Sequence, residues 1–146
     1  MLILKAIVLT HVAATLMMTG IMWFVQLAYY PNLEAIGGEA FTRYEREHVR
    51  RITKAAWTML LIELLSGLAL LFWPLHPEIR SLLAINFLLL LVIWYSTWFI
   101  QVPLHKQLEQ GFDRQLIRRL VRSNWLRTVC YSLRLLVILA ILYRWL

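Results

Sequence analysis

Four long apolar runs constrain the fold of this 146-residue chain more than any other feature of its sequence. A helix needs about 20 consecutive apolar residues to cross a hydrocarbon core of about 30 Å. The runs lie at residues 2–30, 52–73, 80–101 and 124–146. Hydrophobic residues make up 61% of the chain, more than is usual in a soluble domain. We therefore predict an all-α fold, an integral membrane four-helix bundle that forms a single transmembrane domain over residues 1–146.

The segment between the third and fourth runs predicts a further helix with two unlike faces. Gly111 breaks the chain, and Asp113 is a suitable N-cap for a helix over residues 114–122. The apolar face would carry Leu116, Ile117, Leu120 and Val121, and the other face Arg114, Arg118, Arg119 and Arg122. This pattern is typical of a cytoplasmic interfacial amphipathic helix that lies among the lipid headgroups.

Basic residues are distributed unevenly around the predicted spans. The side of the two longer loops carries Arg43, Arg46, Arg50, Arg51, Lys54, Lys106, Arg114, Arg118, Arg119, Arg122 and Arg127. The side of the termini carries Lys5, Arg80 and Arg144. By the positive-inside rule the loops are cytoplasmic and both termini lie outside, and we predict a bacterial inner membrane. This bias explains the net charge of +7 better than nucleic-acid binding does, so we expect no nucleic-acid partner.

Two parts of the sequence resemble each other. Residues 23–26 (WFVQ) end the first span much as residues 98–101 (WFIQ) end the third, and a proline follows each. Residues 41–57 and 112–125 share a phenylalanine, paired arginines and a tryptophan. A true repeat would relate two hairpins by a pseudo-two-fold axis along the membrane normal. Because the spacings differ between the copies, chance similarity of interfacial chemistry is an equally good explanation.

Polar side chains on or beside the spans recur at helical spacing. In hydrocarbon a polar side chain is costly unless it faces the bundle interior. Residues three and four apart share one face of a helix, so each helix carries one polar stripe. From these stripes we take as candidate binding residues His11, Gln26, His48, Glu63, Asn86, Gln101, Tyr131 and Arg134. Four stripes on four helices predict one wet or ligand-holding interior.

Two opposite charges are predicted to meet near the middle of the membrane. With a rise of about 1.5 Å per residue, Glu63 lies roughly 15 Å inside the second span and Arg134 roughly 15 Å beyond Asn124. An unpaired charge is costly at that depth, and pairing is the usual remedy. We predict a Glu63–Arg134 ion pair with His11 and Asn86 at similar depth. Such a pair serves either a functional site or the register of the helices, and the sequence leaves both open.

Cofactor ligands are sparse in this sequence. Haem needs axial side chains at matched depth on facing helices, and His11 has no such partner because His48 and His105 lie near the other face. With Cys130 as the single cysteine, the ligand types exclude a structural zinc site. We predict no metal site and leave the cofactor unknown. A carboxylate-histidine site built from Glu45, His48 and His105 is the alternative.

Two short motifs carry a resemblance to a known family. Residues 102–105 (VPLH), followed by residues 124–128 (NWLRT), resemble the small four-span membrane proteins of the anthrone-oxygenase-like family, which is largely uncharacterised. In that family a proline follows the third span and Asn-x-x-Arg opens the fourth. Some members are associated with the oxidation of polycyclic anthrones. The resemblance implies that His105, Asn124 and Arg127 are catalytic.

These observations predict a membrane-embedded, oxidoreductase-like protein that acts on a lipophilic small molecule in a pocket open to the cytoplasmic side. Arginine and asparagine would stabilise a phenolate or enolate oxygen while histidine takes the proton, which suits a cofactor-independent oxygenase-like enzyme. The alternative is a small transporter or channel, or a non-enzymatic subunit of a membrane complex. Expected partners are the lipid bilayer, the lipophilic molecule and a second copy of the chain in a homodimer.

Overall fold

Helices make up nearly all of the computed structural model, which describes residues 2–36 and 39–145. Within those residues four long helices are present and no strand: α1 Leu2–Ala35, α2 Glu39–Phe72, α3 Pro77–Leu108 and α4 Arg114–Trp145. Each of these helices contains a stretch long and apolar enough to cross a membrane. The predicted all-α four-helix bundle is therefore confirmed for the described residues, and the chain has the helices of an integral membrane protein.

The helices extend beyond the predicted spans. Helix α2 begins at Glu39 rather than at residue 52, because the polar segment before the apolar run is rich in helix formers. Helix α3 continues past residue 101 to Leu108, and α4 begins at Arg114 rather than at residue 124. The ends of the predicted domain, Met1 and Leu146, lie outside the described residues.

Residues 114–122 are helical, as predicted, but they form the first part of α4 rather than a separate helix. Asp113 caps it, since its Oδ1 accepts hydrogen bonds from two backbone N–H groups of the first turn at 2.7 and 3.1 Å. The apolar side chains of Ile117 and Leu120 are fully buried against α1, α2 and α3. The apolar face of this segment is thus covered by protein.

Two of the helices change their winding near one end of the bundle. Helix α1 has a π-helical turn at Val25–Tyr29, and α3 has one at Thr97–Gln101. Each π-turn holds a buried glutamine, Gln26 in the first and Gln101 in the second. Such turns are frequent at functional sites because they redirect the side chains that follow.

The helices are arranged in the order α1, α2, α3, α4 around the bundle, since α1 and α3 each pack against both α2 and α4. Three buried apolar clusters follow one another along it. The cluster nearest the α2–α3 turn contains Leu70, Leu83 and Ile141. The middle cluster contains Met18, Met22, Leu60, Ile93, Cys130 and Tyr131. The cluster near the α3–α4 loop contains Val25, Tyr30, Leu33, Phe41, Leu104, Leu108, Ile117 and Leu120.

The contacts between helices follow the repeat in the sequence. Equivalent positions of the two repeats lie 75 residues apart on α1 and α3, and 68 residues apart on α2 and α4. Two such pairs on α1 and α3 and one on α2 and α4 are in contact. These pairs are His11 with Asn86, Tyr30 with His105, and Glu63 with Tyr131. The same offsets relate the Trp23–Trp125 contact, with ring centroids 5.8 Å apart, to the Trp98–Trp57 contact at 4.8 Å. Counterparts that touch each other are what a two-fold axis inside the bundle produces.

Candidate functional site

A cavity of about 100 Å³ lies inside the bundle, in the half nearer to the α3–α4 loop. Its apolar wall includes Met18, Met22, Trp57, Leu60 and Ile93. Its polar wall includes Tyr30, His48, Thr53, Thr97, Gln101, His105, Arg127 and Tyr131. Largely apolar walls with a few grouped polar atoms are typical of small-molecule sites.

A chain of hydrogen bonds leads from the cavity to a buried carboxylate. The Nδ1 atom of His105 lies 2.6 Å from Oε1 of Glu45, which is fully buried. Because Nδ1 faces the carboxylate, it carries the proton, and Nε2 accepts a hydrogen bond from the Tyr30 hydroxyl at 3.1 Å. The Tyr30 oxygen in turn accepts from Nη2 of Arg127 at 3.4 Å. All of these bonds run in one direction, from the guanidinium to the carboxylate.

Arg127 is held in place from behind by an amide pair. Oδ1 of Asn124 accepts hydrogen bonds from Nε and Nη2 of Arg127 at 3.0 and 2.6 Å. Nδ2 of Asn124 donates to Oε1 of Gln26 at 2.8 Å. Asn124 and Gln26 are buried and do not line the cavity. The Asn-x-x-Arg motif therefore splits into a group on the cavity wall, Arg127, and a group that positions it, Asn124.

This site keeps polar atoms that are not satisfied by the protein. Among the residues that the structure describes, Oε1 of Gln101 and Oε2 of Glu45 are buried and have no hydrogen-bond partner. No ion pair to Arg127 is found among the described side chains either. Gln101 lines the cavity, whereas Glu45 does not. Because buried polar groups are nearly always paired, the unpaired oxygen of Gln101 marks a place for a ligand or water.

A second polar network lies deeper in the bundle, and it contains the predicted Glu63–Arg134 ion pair. Nη1 of Arg134 lies 2.6 Å from Oε1 of Glu63, and neither side chain is exposed. The Tyr131 hydroxyl donates to Oε2 of Glu63 at 2.9 Å. Nε of Arg134 donates to Oδ1 of Asn86 at 3.3 Å, and His11 completes the network by its contact with Asn86. We call this group the ion-pair network.

The structure divides the predicted site residues into two groups. On the cavity wall lie His48, Gln101, His105, Arg127 and Tyr131. Away from it lie Asn124 and Gln26, behind Arg127, and His11, Glu63, Asn86 and Arg134, in the ion-pair network. Tyr131 belongs to both regions, because it lines the cavity and donates to Glu63.

Sequence reasoning missed one residue of the hydrogen-bond chain, Tyr30, and considered another, Glu45, only as a metal ligand with His48 and His105. Tyr30 resembles an interfacial aromatic residue in the sequence. The 75-residue offset that pairs Tyr30 with His105 was a usable signal for the first residue. For Glu45 the signal was weaker, since only its position one turn before His48 set it apart.

Among the described residues, no group of three or more His, Cys, Asp or Glu side chains is placed to hold a metal ion. Of the three residues in the carboxylate-histidine alternative, His105 is hydrogen-bonded to Glu45, whereas His48 stacks on Tyr29 with ring centroids 3.8 Å apart.

Comparisons of the chain with protein-family models, curated proteins and solved structures gave no match.

Proposed function

We propose that this protein is a membrane-embedded, oxidoreductase-like enzyme that oxidises a lipophilic phenol or cyclic ketone inside the bundle. The observation that carries this proposal is the one-way chain of hydrogen bonds from Arg127 through Tyr30 and His105 to Glu45, which begins at the cavity wall. A histidine oriented by a carboxylate is a general base, and a guanidinium stabilises an oxyanion. The cavity thus combines the two groups needed to make and hold a phenolate or enolate.

The first chemical step is a proton transfer. A substrate oxygen bound beside Arg127 gives its proton to the Tyr30 oxygen, while the Tyr30 proton moves to Nε2 of His105. Glu45 stabilises the imidazolium that forms, since its carboxylate lies 2.6 Å from Nδ1. Arg127 stabilises the negative charge left on the substrate. The net change is one proton moved from the substrate to His105.

The second step uses dioxygen, which dissolves well in lipid. The substrate anion carries electron density on a ring carbon that bears a hydrogen, and dioxygen adds there to form a peroxide. The proton held by His105 returns as the O–O bond breaks, so that a C–H carbon becomes a carbonyl and one water leaves. For a phenol, one phenol and one dioxygen thus give one quinone and one water, whose two hydrogens come from the hydroxyl group and from that ring carbon. The resemblance to anthrone-oxygenase-like proteins points to the same reaction class.

The charge distribution supports a defined placement in the membrane. With basic loops on the cytoplasmic side of a bacterial inner membrane and both termini outside, the cavity lies in the cytoplasmic half of the bilayer. This placement agrees with an expected pocket near the cytoplasmic mouth. A single accessible cysteine introduced at Gln110 in the α3–α4 loop would react with an impermeant thiol reagent from the cytoplasmic side alone.

A transporter or channel is the weaker candidate, because a path through this bundle would have to cross two barriers. The ion-pair network fills the interior beyond the cavity, and the apolar cluster of Leu70, Leu83 and Ile141 lies beyond that. A permeation path is lined by polar groups or by wide apolar constrictions along its whole length. The described residues offer neither at the end near the α2–α3 turn.

The test is oxygen consumption by the purified protein in nanodiscs, with single-ring alkylated phenols as probes. Wild-type protein is expected to consume oxygen in step with loss of the probe. The variant His105→Gln should lose this activity because it removes the base. His76→Gln is the matched control, since His76 is an exposed residue in the α2–α3 turn. Equal activity in all three proteins, or no activity in any of them, would reject the enzyme.

A further inference from the structure

By the internal repeat, the α1–α4 contact is equivalent to the α2–α3 contact, but the two contacts differ in structure. We call the α1–α4 contact around Gln26 the closed seam and the α2–α3 contact around Gln101 the open seam. In the closed seam, Oε1 of Gln26 accepts from Asn124 at 2.8 Å, and its Nε2 donates to the backbone oxygen of Val121 at 3.3 Å. Glu63 of α2 and Tyr131 of α4 are equivalent positions, 68 residues apart. By the same offset, Ala56 of α2 is the equivalent of Asn124 of α4.

At the open seam Gln101 has no amide partner on α2, and a cavity occupies the place that the Asn124 amide occupies in the closed seam. Ala56 and Gln101 both line the cavity. Nε2 of Gln101 turns instead to Oγ of Ser123 at 2.9 Å, within its own hairpin. Ser123 already donates its hydrogen to the backbone oxygen of Leu120, so it can only accept from Gln101. The amide orientation is thereby fixed, and the free atom is the acceptor Oε1.

This free acceptor is a buried one. Gln101 is 1% exposed, and among the described residues its Oε1 has no partner. The opposite kind of group, the Arg127 guanidinium, lines the same cavity as a donor. A ligand of this cavity therefore needs a hydrogen-bond donor for Gln101 and an oxygen for Arg127.

The open seam also leads sideways out of the bundle. A groove of about 460 Å³ runs along the outer side of α2 and α3. It shares with the cavity the wall residues Ile52, Thr53, Trp57, Val102 and His105. Trp98, which is 49% exposed, also lines it. Lys106 and Glu109 line its other end, so the groove runs along α2 and α3 from apolar tryptophans to charged side chains.

The sizes of the two spaces set the shape of the ligand. An engineered cavity of about 150 Å³ holds one benzene molecule, so the smaller cavity here takes no more than one ring. The larger groove takes a chain that continues from that ring. A tricyclic anthrone is too wide for the cavity, which separates this ligand from the substrates that the family resemblance implies.

We propose that the open seam is a lateral binding site for a single-ring phenol that carries a second ring hydroxyl and a long lipophilic tail. The ring lies in the cavity with its reactive hydroxyl beside Arg127 and Tyr30, and the second hydroxyl donates to Oε1 of Gln101. The tail lies in the groove beside Trp57 and Trp98 and continues into the bilayer. This inference rests on the proposed function, and it names the substrate class of that site.

The test is equilibrium binding of radiolabelled 5-decylresorcinol to the protein in phosphatidylcholine nanodiscs. Wild-type protein is expected to bind it saturably. The variant Ala56→Asn restores the amide of the closed seam opposite Gln101, so it should weaken binding at least tenfold. The variant Gln101→Met, which removes the acceptor without filling the seam, should weaken it by a similar factor. Ala55→Asn is the matched control, because Ala55 is exposed and lines neither space.

Three results would overturn the inference. The first is equal binding by wild type, Ala56→Asn and Gln101→Met. The second is equal competition by decylbenzene, which has the tail without the oxygens. The third is oxygen consumption with 5-decylresorcinol that Ala56→Asn leaves unchanged, since the reaction would then take place elsewhere. Saturable binding that depends on Gln101 but without oxygen consumption would keep the site and reject the enzyme.

Discussion

Arg127 and Arg134 lie two helical turns apart on α4, and both side chains are directed into the bundle. Arg134 is paired with Glu63 at 2.6 Å, and the buried polar atoms around it all have partners among the described residues. Arg127 is paired with an amide, Asn124, and lies beside a cavity with Gln101 unsatisfied in its wall. Both guanidinium groups are buried, and the three nitrogens of Arg127 also donate hydrogen bonds, to Asn124, Tyr30 and Thr97. The two sites are distinguished by the partner, which is a carboxylate for Arg134 and only neutral oxygens for Arg127.

This difference separates a stabilising arginine from one that is available for chemistry. An ion pair whose hydrogen bonds are all made within the protein has no free group for a ligand, and breaking it destabilises the fold. A guanidinium held by a neutral amide keeps its charge for an incoming oxygen.

Removing one half of the ion pair should destabilise the protein most. The variant Glu63→Ala leaves Arg134 charged and unpaired in the interior, and we expect a loss of about 3–5 kcal/mol in the free energy of unfolding. Unfolding in detergent, followed by circular dichroism, measures it. The double variant Glu63→Leu with Arg134→Met should recover most of the loss. A single variant as stable as wild type would show that this pair has no structural role.

Removing the other arginine should mainly affect activity. In Arg127→Met the oxyanion loses its donor, so we expect oxygen consumption to fall about 100-fold. The free energy of unfolding should fall by only about 1–2 kcal/mol, because Arg127 makes hydrogen bonds but no ion pair among the described side chains. Both quantities are measured on the same preparation. A stability loss as large as that of Glu63→Ala would remove the contrast between the two arginines.

A carboxylate can be given to Arg127 by changing one atom. In Asn124→Asp, the residue that holds Arg127 becomes an anion, as Glu63 is for Arg134. The stronger bond to Arg127 is offset by loss of the N–H donor to Gln26, so the free energy of unfolding should change by less than about 1 kcal/mol. Oxygen consumption should fall about tenfold, because a neutralised Arg127 stabilises the oxyanion less well. Faster oxygen consumption in this variant would contradict the role given to the unneutralised charge.

The arginines on the surface should matter least. Arg118 lies 3.3 Å from Glu34, and the two side chains are 67% and 32% exposed. Ion pairs of this kind contribute about 0–1 kcal/mol, so Arg118→Ala should change the free energy of unfolding by less than about 1 kcal/mol. The same unfolding assay gives the value, with Arg127→Met as the comparison. An effect on oxygen consumption would show that the surface charge has a part in the reaction.

The fold could be predicted from the sequence because the membrane imposes simple demands. Apolar runs of spanning length leave few alternatives to helices, and depth along the spans was enough to pair Glu63 with Arg134. Neither inference needed the rotation of one helix against another. The stripe of polar residues on each helix also correctly placed His48, Gln101 and Arg127 in the interior.

The division of the interior into two networks could not be predicted from the sequence. Periodicity places Gln26 and Gln101 alike, and only the residue opposite each one, Asn124 or Ala56, decides between a closed contact and a cavity. An alanine gives no signal in a pattern of apolar and polar residues. The motif resemblance likewise could not show that Asn124 lies behind Arg127 rather than beside it.

Each of the two π-turns changes the direction in which the later side chains of its helix point. A π-turn uses about one residue more than an α-turn, so all later side chains are rotated by about 100° relative to an unbroken helix. Tyr30 and His105 each follow such a turn, at Val25–Tyr29 and Thr97–Gln101. Deleting one residue from each turn would undo the rotation and carry both side chains away from each other. The proton-transfer chain therefore depends on helical winding as well as on the identity of its residues.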